Sequence, residues 1–337
     1  MINLLSLVLF VTALCGPQQS RANQSTESPV MDVVFGTADG AWVLTTKGEI
    51  LRTTDGGAHW AHTELRGLDK AELISVGLGA DWWIVDQSGN LARTTDQGDS
   101  WQLVANLAAA GTGVGILRVQ FTDQMHGWIL DPFGLWNTND GGVTWVRVKA
   151  GGNGSLCFLH FIDRDRGWIG DAGGRTYTTF DSGRTWQEAS HKKGAAVLAV
   201  SFVTDLEAWF STAQGGGIYH TTDGGKTWTK QDIPGTSVRV DSIQFLDRER
   251  GWATAVDFKP QGPSKSGFRS SLLHTVDGGQ AWQTWSTANG RELYNKIHFS
   301  DAQRGWLYTD AGLYRTTDGG STWRLVLEYP RPSYKID

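Results

Sequence analysis

Apolar and polar positions alternate along most of the chain in runs too short to make helices. Ile116–Phe121 is rich in β-formers, Thr122-Asp123-Gln124-Met125 reads as a turn, and Gly127–Leu130 is a second run. Asp131-Pro132-Phe133-Gly134 then turns into Leu135–Thr138, and an Asp-Gly-Gly loop leads to Thr144–Val148. Short runs bounded by turn residues predict four antiparallel strands in one such stretch. Helical periodicity is nearly absent. One segment differs: Leu4–Leu14 (LLSLVLFVTAL) is an apolar run followed by polar Gln18–Ser28. As a helix it would rise about 16 Å, too little for a ~30 Å hydrocarbon core. Its length fits the apolar part of an export signal, although no Lys or Arg precedes it.

The four-strand pattern repeats. An eight-residue motif, Thr-x-Asp-x-Gly-x-(Thr/Ser)-Trp with some drift, occurs seven times, ending at Trp60, Trp101, Trp145, Trp186, Trp228, Trp282 and Trp323. Its aspartates are Asp55, Asp96, Asp140, Asp181, Asp223, Asp277 and Asp318, separated by 41, 44, 41, 42, 54 and 41 residues. A second marker, a Gly/Ala-rich turn before another tryptophan, keeps step with it. It reads Gly40-Ala41-Trp42, Ala80-Asp81-Trp82, His126-Gly127-Trp128, Arg166-Gly167-Trp168, Glu207-Ala208-Trp209, Arg250-Gly251-Trp252 and Arg304-Gly305-Trp306. Two markers in phase, each sevenfold, predict an all-β, seven-bladed propeller of four-stranded antiparallel blades.

Seven aspartates beside glycines look like catalytic acids or metal ligands, but turn chemistry explains them. An aspartate at this place accepts hydrogen bonds from amides further along the turn. The glycines supply positive φ for a tight hairpin, and the tryptophan covers it. Catalytic groups must converge on one reacting atom, and seven rim aspartates cannot. Asp123, Asp163, Asp205, Asp247 and Asp301 each follow the Phe that closes an inner strand and are read as turn residues of the repeat. No cofactor and no metal site is expected.

Composition refines this picture. Of 337 residues 43 are glycine and 17 tryptophan, which suits many tight turns and aromatic packing. A net charge of −5 leaves no broad cationic surface for nucleic acid. The two cysteines are Cys15 and Cys157, so removal or acylation of Cys15 leaves no intramolecular disulfide. Cys157 lies in the apolar run Leu156-Cys157-Phe158-Leu159 and reads as a buried, inert thiol. The expected organisation is an export signal over 1–22, a short polar linker over 23–29, the propeller over 30–328 and a tail over 329–337. Two readings of the signal stand: cleavage after Ala22, or lipoprotein attachment at Cys15.

Departures from the repeat are the better place to seek function. The long sixth period carries Asp257–Arg269, an insertion with Lys259, Lys265 and Arg269. Arg166, Arg250 and Arg304 share one repeated turn, hence one face, and form a candidate patch for an acidic or carboxylate-rich partner. Inner strands carry Arg118, Arg239, Asp241, Lys296 and His298, which do not recur in sibling blades. His160 and His298 precede Phe161 and Phe299 alike, which favours packing between blades. Ala108–Gly115 lacks the Gly-Lys-Ser/Thr ending of a phosphate loop.

The phased pair Phe-x-Asp-x-x-Arg-Gly-Trp and Thr-Thr-Asp-Gly-Gly-x-Thr-Trp resembles the photosystem II stability/assembly factor family over essentially the whole mature chain. Arg166-Gly167-Trp168, Arg250-Gly251-Trp252 and Arg304-Gly305-Trp306 match its repeat. The resemblance implies a lumenal or exported seven-bladed propeller, in cyanobacteria commonly a lipoprotein, that acts without catalysis on newly made reaction-centre protein. It leads us to expect a monomeric scaffold in the periplasm or thylakoid lumen that holds a protein or peptide partner, such as an immature membrane protein. Any membrane association would run through a lipid on Cys15. The alternatives are an Asp-box glycoside hydrolase or sialidase, which needs paired carboxylates or an arginine triad with a tyrosine, and a lectin-like propeller that binds sugar.

Overall fold

In this computed structural model the described residues are 24–63, 65, 68, 71–76, 81–112, 116–150, 156–189, 196–213, 217–235, 238–258, 268–288 and 292–330. The proposed signal, Cys15, Lys259 and Lys265 lie outside them. The described residues form seven four-stranded sheets, each with its strands in sequence order and antiparallel. These are the blades of a β-propeller. The third blade, for example, comprises Arg118–Phe121, Gly127–Asp131, Gly134–Thr138 and Val146–Val148, close to the runs read from the pattern. The sixth is the longest. Its insertion extends the second and third strands to Gly251–Asp257 and Arg269–Thr275.

Aromatic stacking holds the blades to one another. In six of the seven blades the tryptophan of the second strand lies against the residue of the next blade that closes the inner strand. The contacts are Trp83–Phe121, Trp128–Phe161, Trp168–Phe202, Trp209–Phe245 and Trp252–Phe299. Trp306 of the last blade meets Phe35 of the first by the same rule, so the ring closes with the contact that builds it. Between the first two blades Trp42 meets Trp82 instead, at 3.8 Å. The register explains this exception and corrects the sequence alignment. Trp82 pairs with Val76 and Thr94, as Gly127 pairs with Phe121 and Thr138. Trp82 therefore stands in the small-residue slot, and Trp83 is the repeat tryptophan.

Glycine in that slot has a packing reason. A Cβ on Gly127, Gly167, Gly251 or Gly305 would lie 2.5–2.9 Å from the ring of Phe121, Phe161, Phe245 or Phe299 in the same blade. With glycine present, these rings stack on the preceding tryptophan at 3.7–4.0 Å and within 14° of parallel. Where alanine fills the slot, at Ala41 and Ala208, the stacks loosen. Phe35 sits 5.9 Å from Trp306 at 29°, and Phe202 sits 4.4 Å from Trp168 at 40°.

The seam between the last and first blades carries further bonds. Trp60 Nε1 donates to the Val326 carbonyl at 3.3 Å, and Tyr308 Oη donates to that of Val30 at 3.1 Å. Arg315 is buried over the Trp306 ring and donates to Asp39 at 2.5 Å. Residues within the expected polar linker also take part. The Thr26 amide donates to the Glu328 carbonyl at 2.9 Å, and the Glu328 amide to that of Gln24 at 3.1 Å. This short parallel bridge adds the segment before the first blade to the edge of the last one.

Candidate binding surfaces

Strand direction divides the candidate residues between two faces. Inner and third strands run the same way, so the inner-to-second turns and the Asp-box hairpins share one face. Inner-strand starts and the second-to-third turns lie on the other.

On the first face each Asp box is hydrogen-bonded within its own hairpin. In the fifth blade Thr221 Oγ1 accepts the Gly225 amide at 3.0 Å and donates to Asp223 at 2.8 Å. Asp223 also accepts the Thr227 amide and hydroxyl at 2.9 and 2.6 Å. Hydrogen bonds from Thr227 and Thr221 hold the Asp223 carboxyl down at about 2. The motif recurs at Asp55, Asp96, Asp140, Asp181, Asp277 and Asp318. Asp277 lacks only the side-chain donor, because Ala281 stands where Thr227 does. Among the described residues no cluster of His, Cys, Asp and Glu could hold a metal ion.

The three turn arginines sit on this same face, each bound by its own turn. Asp163 accepts the amides of Asp165 and Arg166 and the Arg166 Nε at 2.7 Å. Asp247 and Asp301 treat Arg250 and Arg304 in the same way. In the third blade His126 replaces the arginine and its ring lies 2.7 Å from Asp123. The fifth blade changes the scheme: Thr204, not Asp205, accepts the turn amides. Asp205 is thus no turn residue of the repeat. It instead accepts Arg166 Nη1 from the fourth blade at 2.5 Å. The three guanidiniums are partly exposed, but each carries a carboxylate, so the patch is a set of ion pairs and not a bare cationic surface.

The second face surrounds the mouth of the axial channel. Six inner strands have a register irregularity near their start, between residue pairs such as Val30/Asp32, Leu156/Phe158, Val197/Ala199 and Val240/Ser242. A bulge turns its extra side chain out of the ladder, which exposes Met31 and Leu198 and leaves Cys157 half-buried. Burial, reinforced by Asp171, pushes the Cys157 thiol up, and its Sγ lies 3.7 Å from the Gly170 carbonyl. Cys157 is therefore more open than its apolar neighbours suggested, although its raised pKa keeps it protonated.

Arg118, Asp241, Lys296, His160 and His298 line one axial cavity of about 570 Å³. His160 stacks on Phe202 at 4.5 Å and His298 on Phe35 at 5.2 Å, the packing role expected for both. Burial holds each imidazole down at about 4, with Lys296 adding to the effect on His298. Gln120 and Gln244, equivalent to the two histidines, staple their blade to the next. Gln120 donates to the Phe161 carbonyl and accepts its amide at 2.8 and 2.7 Å, and Gln244 treats Phe299 alike at 2.9 and 2.5 Å. Sequence reading missed these staples, although both residues directly precede the repeat Phe. Arg269 opens the third strand of the sixth blade on this same face.

A family model described as the photosynthesis system II assembly factor YCF48 matches residues 18–109, and one described as sortilin, neurotensin receptor 3, matches 174–305. YCF48 from Cyanidioschyzon merolae superposes with a TM-score of 0.67 at 18% identity, covering 88% of this chain and 97% of that one. A structure titled YCF48 bound to D1 peptide gives 0.67 at 19%, covering 88% and 95%. The chain resembles the YCF48 assembly factors. A GH74 enzyme from Niastella koreensis is more distant, with a TM-score of 0.55 at 15% identity over 88% of this chain and 65% of that one. At these identities the structural likeness is one of fold. No curated protein sequence matches.

Proposed function

We propose that this protein is a non-catalytic assembly factor of the photosystem II kind, which holds a protein or peptide partner on one face of the propeller. The observation that carries the reading is its likeness in fold, over 88% of this chain, to a structure titled YCF48 bound to D1 peptide. The local chemistry is consistent with binding. The Asp-box carboxylates are occupied by their own hairpins, and the channel carboxylates Asp32 and Asp241 are each paired with a cation. Export, directed by Leu4–Leu14, would deliver the protein to the periplasm or thylakoid lumen, and Cys15 is the residue that would carry a lipid anchor.

Fluorescence anisotropy with a labelled D1 peptide tests this. The expected result is saturable binding, weakened when Arg166, Arg250 and Arg304 are all changed to Gln with the fold intact by circular dichroism. Unchanged affinity in that variant would move the partner to the channel mouth. Absence of saturable binding by the wild type would overturn the reading. Turnover of a chromogenic glycoside, abolished by one Asp or Glu substitution, would replace it with a hydrolase.

A further inference from the structure

Most polar side chains along the axial cavity already have partners. Arg239 forks onto Asp241 at 2.6 and 3.0 Å and lies over Phe258 at 5.0 Å. Lys296 donates to Asp32 at 3.3 Å and to the Val33 carbonyl at 2.9 Å. The hydroxyls of Ser201 and Ser242 accept the amides of Phe245 and Ile297 from the next blade. Arg118 and His160, on adjacent blades, stand apart from this pattern. Arg118 is exposed, and its guanidinium donates only to the Leu117 carbonyl at 2.7 Å, with no carboxylate in ion-pair reach among the described residues. His160 is stacked on Phe202, and neither ring nitrogen has a hydrogen-bond partner among the described residues.

We infer that the axial cavity receives a carboxylate borne on an apolar group, with Arg118 binding the carboxylate and the accessible Leu198 and Val200 taking the attached hydrocarbon. The inference rests on the binding reading above and concerns a partner group in the axial channel, apart from the turn arginines on the opposite face. Charge decides for a monoanion. Among the described residues lining the cavity Arg118 alone is a cation without a carboxylate, and Asp32 and Asp241 line the same cavity with their charge already neutralised, so a second negative charge on the ligand would have no cation of its own. Guanidinium and carboxylate match in shape as a two-bond pair. A neutral His160 adds one ring N–H donor without adding charge. A cavity of about 570 Å³ falls within the range of small-molecule sites.

N-acetyl-leucine and N-acetyl-leucinamide, which differ in the carboxylate, serve as probes in calorimetric titration of the intact mature chain. N-acetyl-leucine is expected to bind at least tenfold tighter than the amide, and Arg118→Gln to remove that difference. Lys226→Gln, an exposed Asp-box hairpin residue on the opposite face, should leave both affinities unchanged. A second arm with acetyl-aspartyl-leucinamide separates a side-chain carboxylate within a peptide from a free or terminal one. Equal binding of acid and amide, no loss on Arg118→Gln, or no binding of any probe would overturn the inference. Retained D1-peptide binding with failure of every probe would sink this inference alone. The converse pattern would sink the assembly-factor reading alone.

Discussion

Gly167→Ala tests whether the small-residue slot sets the spacing of the blades. The new Cβ would lie 2.5–2.6 Å from three atoms of the Phe161 ring. Carbon contacts settle near 3.5–4.0 Å, so the ring must retreat by about 1 Å. Trp128 blocks that retreat, being already stacked on the far side at 3.7 Å. The remaining route is a tilt like that of Phe202 beside Ala208, which sits at 40° to its tryptophan. Overpacking of this kind costs about 1–3 kcal/mol, and a weakened aromatic pair contributes within that figure. Replacing glycine within a strand returns about 0.5–1 kcal/mol through the unfolded chain. The middle of those ranges gives a net loss of about 1 kcal/mol, read from the urea midpoint at constant m-value with tryptophan fluorescence as the probe. Near-UV circular dichroism should change with it, because the Trp128–Phe161 pair is reoriented. A midpoint within error of the wild type, or a loss with an unaltered near-UV spectrum, would refute the steric account. Gly56→Ala is the contrasting control, since its strain would come from φ of +71° and not from an aromatic neighbour.

Four further outcomes follow from named contacts. Thr275→Val leaves the buried Gly279 amide without the acceptor now 2.9 Å away, and should cost about 1–3 kcal/mol in the same urea assay. Gln97 and Ser182 hold φ of 59° and 62° where sibling hairpins have glycine. Gln97→Gly should gain about 0.5 kcal/mol in thermal unfolding, whereas Ser182→Gly should gain nothing because its hydroxyl is bound to Asp165 at 2.8 Å. Thr26→Pro removes the amide bonded to Glu328 and should lower stability by about 1 kcal/mol, with faster hydrogen exchange at the Glu328 amide. For pH, burial lowers His160 and His298 to about 4, so their unfolded forms bind protons first. Stability should be fully present above about pH 6.5 and fall as pH drops toward 4. Asp223, held down at about 2, extends the loss below pH 4. His160→Phe should flatten the upper limb of the urea midpoint against pH, and an unchanged limb would exclude His160 as its source.

The fold was legible because the repeat writes each stabilising contact seven times. Second-strand and Asp-box tryptophans account for seven residues each, leaving Trp82, Trp136 and Trp285 of the 17. Spacing alone therefore placed both aromatic layers. It failed by one residue in the second blade, where two adjacent tryptophans offered equal matches and only strand pairing separates them. A related failure concerns Asp205. Proximity to a Phe made it look like the repeat aspartate, but Thr204 fills that place, and Asp205 is left to bind an arginine of another blade.

The binding surfaces were less legible, for a physical reason. Whether a cation is available depends on what lies across a seam, and neighbours there are tens of residues apart in sequence. The repeated arginines drew attention as a set, yet the Asp three residues before each one neutralises it. Arg118 is single in the sequence and looked no different from Arg239 or Lys296. Folding separates them, because Asp241 lies two residues from Arg239 and the first blade brings Asp32 to Lys296, whereas no acid reaches Arg118 among the described residues. An uncompensated charge at the mouth of a closed ring is thus a property of the assembled seams, which no single repeat displays.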